Sequence, residues 1–245
     1  MTKLTFERIP RSRTRLADEV YEQLFGRIIS GRIGPGDRLI QETIAEEMDI
    51  SRTPVREALL RLEHEGIIQL AERRGFVVRE IAESEVRDIY QAREAIEGFA
   101  ARLVATAHCE VALDQIAEVV NREASTSHDT VRSAFVANEA AHRAIVEASG
   151  NGFLVQLFDV IWGRQVALRL YGDLLRQTDV ESTFDHDHSS LLDSLRNGDG
   201  DSAELAMVKH IRAGLELQVR ALDGGNTESA AMGPTETKES DHVTD

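Results

Sequence analysis

The chain has 245 residues, 42% of them hydrophobic, and a formal net charge of −15. That composition suits one or two folded domains and excludes a chain too polar to bury a core. No run of about 18 apolar residues occurs, and the opening MTKLTFERIP lacks the apolar stretch of a secretion signal, so a cytoplasmic protein with no membrane association is expected.

Residues 1–15 read as a leader. From Leu16 the apolar residues Leu16, Val20, Leu24 and Ile28 recur every fourth position, the pattern of a helix with one buried stripe. Gly31 and GPGD at 34–37 stop it. QETIAEEMDI, residues 41–50, reads as a short second helix with Ile44, Ala45 and Met48 inward, and Ser51 as the N-cap of a third. Pro54 fits the first turn, where backbone N–H groups lack internal partners. Val55, Leu59, Leu60 and Leu62 form the buried side, and Arg52, Thr53 and Arg56 are left outward. IIQLAERRGFVVREI, residues 67–81, shows two β-prone runs around ERRG, a hairpin with basic residues at its tip. Three short helices and such a hairpin make a winged helix-turn-helix over 16–82.

Beyond Ala82 the pattern is helical, with almost no proline before Pro234. Helices are expected at about 84–107, 111–125, 130–148, 152–175, 184–197 and 200–222, broken by SGNG and NGDG, so 83–223 form an all-α bundle. The single cysteine, Cys109, has no partner for an internal disulfide and reads as a small buried hydrophobe. The polar, acidic stretch 224–245 reads as a disordered tail.

Acid is unevenly placed: residues 1–81 hold fourteen Lys/Arg and fourteen Asp/Glu, whereas 82–245 hold fourteen against twenty-nine. Attraction to phosphate acts within roughly 8 Å at physiological salt, so the total charge does not forbid the first part from meeting a polyanion. Arg52 and Arg56, four apart, face one way. The pair alone fits a solvated face as well as a DNA groove; the preceding helices and the hairpin with Arg73, Arg74 and Gly75 favour the groove. A helix-turn-helix puts the start of its second helix nearest the base edges, where arginine binds guanine bidentately.

The run GDRLIQETIAEEMDISRTPVREALLRLEHEGII resembles the DNA-binding domain of the GntR family of bacterial transcription regulators. The resemblance covers 16–81 and implies DNA contacts from Arg52, Thr53, Arg56 and the wing glycine Gly75. At Glu42 some members carry an arginine that reaches DNA, so the second helix departs from the pattern. DIYQAREAIEGFAARLVA, residues 88–105, with Arg93 and Glu97, resembles the opening helix of the FCD domain of the FadR branch; NEAAHRAIVEASGN and DHSSLLDSLRNGDGDSAELAMVKHI resemble its later helices. Six helices fit the shorter VanR-like form better than the seven of the FadR-like form.

Asn138 and His142 lie one turn apart on a helix, and His188 and His210 come from two later helices; inward residues on facing helices build metal sites in bundles. The resemblance implies a metal site of Asn138, His142, His188 and His210, although metal-binding members usually have aspartate at the first position. An amide oxygen ligates without supplying charge, so three imidazoles would leave the centre near +2, holding metal more weakly and attracting an anion more strongly. His186 is a possible substitute ligand. Zinc fits neutral imidazoles best, with nickel or manganese as alternatives. In related regulators a carboxylate metabolite fills the open positions; Arg93 is the residue expected to hold its other end, unless it is spent on an internal salt bridge with Glu97. Trp162, Arg164, Arg169 and Tyr171 could line the same pocket or belong to the core.

The resulting expectation is a homodimeric, one-component regulator, not an enzyme. It binds a short inverted repeat of double-stranded DNA with a GT…AC core and represses a metabolic operon until a small organic acid binds. Two rivals stay open: the same regulator with a metal-free acid pocket, and a metal-dependent helical enzyme, for which no general base or nucleophile motif stands beside the histidines.

Overall fold

A computed structural model describes residues 12–126, 130–163, 167–172 and 181–231. Its mostly α architecture is a winged helix-turn-helix followed by a helical bundle. Helix α1 (Ser12–Ile29) buries Val20, Tyr21, Leu24, Phe25 and Ile28. Helices α2 (Gln41–Glu47) and α3 (Arg52–His64) follow it, and α1 packs on α3. The second helix ends before the 50 expected because Asp49 takes a left-handed φ of 51°, which turns the chain into α3. Ser51 stands at the N-cap position with extended φ and ψ, yet its side chain makes no capping hydrogen bond; Gln41 Nε2 instead ties the start of α3 by donating to Arg52 O at 3.1 Å. Leu60, expected inside, is 43% exposed, and Pro54 and Ala58 take the buried positions beside Val55, Leu59 and Leu62.

The wing has one strand more than the hairpin legible in the sequence. Strands β2 (Ile68–Leu70) and β3 (Phe76–Val78) pair antiparallel, and β1 (Arg38–Leu39) adds to the other edge of β3, giving the order β1-β3-β2. Leu39 and Leu70 both register on Phe76. Gly75 is required here: its φ is +81°, and a Cβ would lie 2.6 Å from the Leu39 carbonyl oxygen. Glycine thus lets the wing tip close onto β1.

Helix α4 (Glu83–Ala107) opens the bundle and ends at His108, whose φ of 43° is left-handed. Cys109, expected to be buried, is exposed at the N-cap position of α5 (Glu110–Ala124), where the chain turns between helices rather than entering the core. Helix α6 (Val131–Ala148) starts from a reciprocal Thr130–Ser133 capping box, and Asn151 Oδ1 accepts from Phe153 N and Leu154 N to start α7 (Gly152–Trp162). The single helix expected over 152–175 is interrupted. Helix α7 ends at Trp162 with Gly163 as its C-cap, whose N donates to Asp159 O and where a Cβ would meet that oxygen at 2.6 Å; residues 167–172 are again helical.

Helix α8 (Glu181–Arg196) and α9 (Gly200–Ala231) complete the bundle. The described residues therefore hold seven helical stretches in this domain where six are expected. The last helix continues through Gly224 and Gly225 to Ala231, past both the expected end at 222 and the start of the expected tail; residues beyond 231 lie outside the described ones. Helix α9 runs along α4 in the most extensive packing of the molecule. Gly98 permits it, since a Cβ there would press on Val208 Cγ2 at 3.1 Å. Close α4–α9 packing brings Arg93 and Glu97 beside His210. Among the described residues no helix is long and apolar enough to cross a membrane.

Candidate functional site

Two groups of side chains stand out, one on each domain. On the winged domain Arg52, Thr53 and Arg56 project from the first turns of α3, and all three are exposed. Arg73 and Arg74 at the wing tip are exposed too, and Gly75 closes that tip. Glu42 joins the two arms: its carboxylate lies 3.3 Å from Arg52 Nη1 and 2.9 Å from Arg74 Nη2. A hydrogen bond from its own backbone N–H and then the Arg74 contact hold the Glu42 carboxyl below its ordinary pKa. Glu42 is thus an anion that draws two arginines together. Arg56 makes no ion pair among the described residues.

The second group lies inside the bundle. His142 from α6, His188 from α8 and His210 from α9 converge, each offering a ring nitrogen within 4.8 Å of the others. Ring centroids are 4.6–5.3 Å apart. His142 Nε2 and His210 Nε2 are 3.2 Å apart; two nitrogens bound tetrahedrally to one zinc at about 2.05 Å would be separated by about 3.3 Å. His142 and His188 are buried, and His210 Nδ1 is buried with no hydrogen-bond partner among the described residues. The donor set therefore fits a divalent cation that accepts nitrogen ligands.

Burial favours neutral rings. Burial lowers the pKa of His142 against the pull of Glu97. Burial, then the neighbouring His142 and His188, pushes His210 well below the ordinary imidazole value. Both rings keep a lone pair at neutral pH.

Sequence reasoning paired Glu97 with Arg93, and the structure gives it a wider set of partners. Its Oε1 accepts from Arg93 Nε at 2.8 Å and from Trp162 Nε1 at 3.0 Å, while Oε2 lies 2.6 Å from His142 Nδ1. Burial would raise this carboxyl; Arg93 and His142 more than offset that and hold it well below the usual carboxylate range. An anion at Nδ1 keeps the ring hydrogen there and turns the bare Nε2 toward the other histidines, the arrangement by which carboxylates orient metal-ligating imidazoles. No spacing rule shows this, because α4, α6 and α7 must first pack together.

A cavity of about 290 Å³ adjoins the cluster; Arg93, Asn138, His142, His188 and His210 all line it. The guanidinium of Arg93 stacks 4.3 Å from the Trp162 ring centroid. Trp162 and Tyr171 line the cavity too; Arg169 is buried but does not line it, and Arg164 and the His186 side chain lie outside the described residues.

A winged helix-turn-helix joined to a helical bundle is an architecture of transcription regulators. The chain belongs to the GntR family: residues 16–78 match the bacterial regulatory proteins of the gntR family, and residues 88–213 match the FCD domain. It is 30% identical over 239 residues to the Uxu operon transcriptional regulator of Escherichia coli, covering 89% of this chain and 91% of that one. It is 28% identical over 233 residues to the "Probable D-xylose utilization operon transcriptional repressor" of Paenarthrobacter nicotinovorans, covering 90% and 96%. Among solved structures, E. coli McbR/YncC superposes with a TM-score of 0.56 at 21% identity over 84% of this chain and 97% of that one, a likeness of fold. The chain is thus a DNA-binding transcription regulator. Family and relatives are regulators rather than enzymes, which sets the metal-dependent enzyme aside.

Proposed function

We propose that the protein is a homodimeric repressor of a metabolic operon whose helical domain senses a small carboxylate beside a divalent metal. The α3 residues Arg52, Thr53 and Arg56 enter the major groove of an inverted repeat with a GT…AC core, and Arg73, Arg74 and Gly75 of the wing meet the adjoining backbone or minor groove. His142, His188 and His210, with Asn138 on the same wall, hold the metal; zinc suits three neutral imidazoles, and nickel or manganese could replace it. A bound divalent ion supplies the positive charge that receives a carboxylate. Arg93 has given its Nε to Glu97, so its terminal amino groups are what it offers the acid. The convergence of three imidazoles, two buried and the third half-buried, on one cavity wall carries this reading.

Two elements lead from cavity to reading head. Helix α6 carries Asn138 and His142, and its first turn places Arg132 Nη2 3.1 Å from Glu22 of α1. Helix α4 carries Arg93 and Glu97 and begins where Glu85 pairs with Arg79, which also donates to Gly66 O behind α3 at 3.2 Å. A ligand that favours one placement of α4 or α6 would shift the reading heads by its differential affinity.

The second reading keeps the acid and omits the metal, with the 3.2 Å His142–His210 contact serving as a hydrogen bond. Elemental analysis separates the two. Protein purified without chelator or metal-affinity tag is expected to carry close to one zinc, nickel or manganese per chain, and Asn138→Asp is expected to tighten zinc at least tenfold by adding a charge at the site. Metal below one-tenth of the chain concentration, with no uptake on titration, would select the metal-free pocket.

A further inference from the structure

Three segments of the winged domain meet at one carboxylate. Glu42 stands in the first turn of α2, and a single oxygen, Oε1, lies 3.3 Å from Arg52 Nη1 at the start of α3 and 2.9 Å from Arg74 Nη2 at the wing tip. The frame around it is fixed: Gln41 Nε2 donates to Arg52 O at 3.1 Å, and Gly75 lets the wing tip close onto Leu39. The Glu42 side chain is 28% exposed against 65% for Arg52 and 69% for Arg74, so the anion sits behind its two cations rather than beyond them. Arg56 and Arg73, the other arginines of this surface, make no ion pair among the described residues. Glu42 therefore singles out two of the four.

That pairing changes what the two guanidinium groups prefer. A phosphate that takes Arg52 or Arg74 comes within a Debye length, about 8 Å, of the Glu42 carboxylate and is repelled by it. Base-edge acceptors, guanine O6 and N7 among them, carry no net charge. A guanidinium has several N–H donors, so Glu42 can keep one while a fork of others serves a base. We propose that Glu42 is a specificity-determining residue, which biases Arg52 and Arg74 away from phosphate and toward base edges and so weakens binding to random duplex more than binding to the operator. The inference rests on the reading of α3 and the wing as the surface that meets DNA. Glu42 acts through the two arginines and is a positioning residue. Its effect falls on the sequence-independent part of the affinity, because that part comes from neutralised phosphates.

The test uses Glu42→Gln, which keeps the shape and an acceptor oxygen and removes the charge. Full-length parent and variant are titrated by fluorescence anisotropy, at several salt concentrations, against an operator selected by the parent from randomised duplexes and against random duplex. Glu42→Gln is expected to tighten random duplex at least about threefold and to steepen its log–log salt slope by about 1, the equivalent of one more phosphate neutralised. The operator is expected to gain less, so the operator-to-random ratio falls at least about twofold. In a protein that already carries Arg52→Ala and Arg74→Ala, the same substitution is expected to leave the ratio unchanged, because the carboxylate then has no guanidinium to bias. Equal changes on both duplexes would reduce Glu42 to plain charge and overturn the inference; so would no change on either, a larger gain on the operator, or a fall in the ratio that persists without the two arginines. Arg56→Ala tells the two possible failures apart. Weakened operator binding in that variant beside a silent Glu42→Gln rejects this inference alone, whereas Arg52→Ala and Arg56→Ala both without effect reject the reading of α3 and this inference with it.

Discussion

Arg56→Ala is expected to lower affinity for an operator selected from randomised duplexes by 10- to 100-fold, about 1–3 kcal/mol, the range for an arginine bonded to a base edge. The reason is positional. Arg56 is exposed on the second turn of α3, makes no ion pair among the described residues, and so meets DNA without first breaking a contact. Arg52 is also exposed but starts from its pairing with Glu42, and its net gain on reaching DNA is smaller by the little that such an exposed pair contributes. Arg52→Ala should therefore cost less than Arg56→Ala, and the double substitution should remove discrimination between the selected operator and random duplex. Fluorescence anisotropy at several salt concentrations separates the roles: a lost phosphate contact reduces the salt slope by about 1, whereas a lost base contact relaxes sequence preference. Unchanged affinity and preference in both single variants would show that α3 is not the reading helix.

Glu97→Ala is expected to destabilise the bundle by about 3–5 kcal/mol, the cost of removing one partner from a buried ion pair. Arg93 would be left charged among Tyr90 and Trp162, and Trp162 Nε1 would lose its acceptor. Glu97→Gln is the more informative variant because it nearly preserves shape and hydrogen bonding. It removes the anion that keeps hydrogen on His142 Nδ1, so zinc affinity is expected to fall 10- to 100-fold in protein that circular dichroism shows to be folded. A competition titration against a zinc-binding dye measures this. A folded Glu97→Gln protein that binds zinc as tightly as the parent would show that Glu97 serves stability alone.

Legibility in the sequence followed how local each feature is. Helix α3 and the wing carry their chemistry on residues adjacent in the chain, so Arg52, Thr53, Arg56, Arg73 and Arg74 were placed on exposed positions from spacing alone. Strand β1 leaves no period to read because it is only Arg38–Leu39; β3 creates that strand by pairing with it. The apolar character of Leu60 suggests burial, yet the buried stripe of α3 runs through Pro54, Val55, Ala58, Leu59 and Leu62 and leaves it 43% exposed. The end of α7 at Trp162 has Gly163 at its C-cap, and glycine alone does not mark such an end in sequence, since Gly224 and Gly225 lie within α9. His142, His188 and His210 were grouped by resemblance, and their convergence needed the packing of α6, α8 and α9. Glu97 was legible as a partner of Arg93 one turn away; its hold on His142 and Trp162 was not, since those residues lie 45 and 65 positions along the chain.

Occupancy of the helical cavity and grip on DNA are one linked equilibrium in this account. The direct test titrates the selected operator with metal-loaded protein by anisotropy, at increasing concentrations of a carboxylic acid that changes the fluorescence of Trp162, the chain's single tryptophan, which lines the cavity. The operator Kd is expected to change at least fivefold, saturating at the acid concentration that saturates the Trp162 signal, as reciprocal coupling demands. An operator Kd that stays constant while the Trp162 signal goes to completion would contradict it.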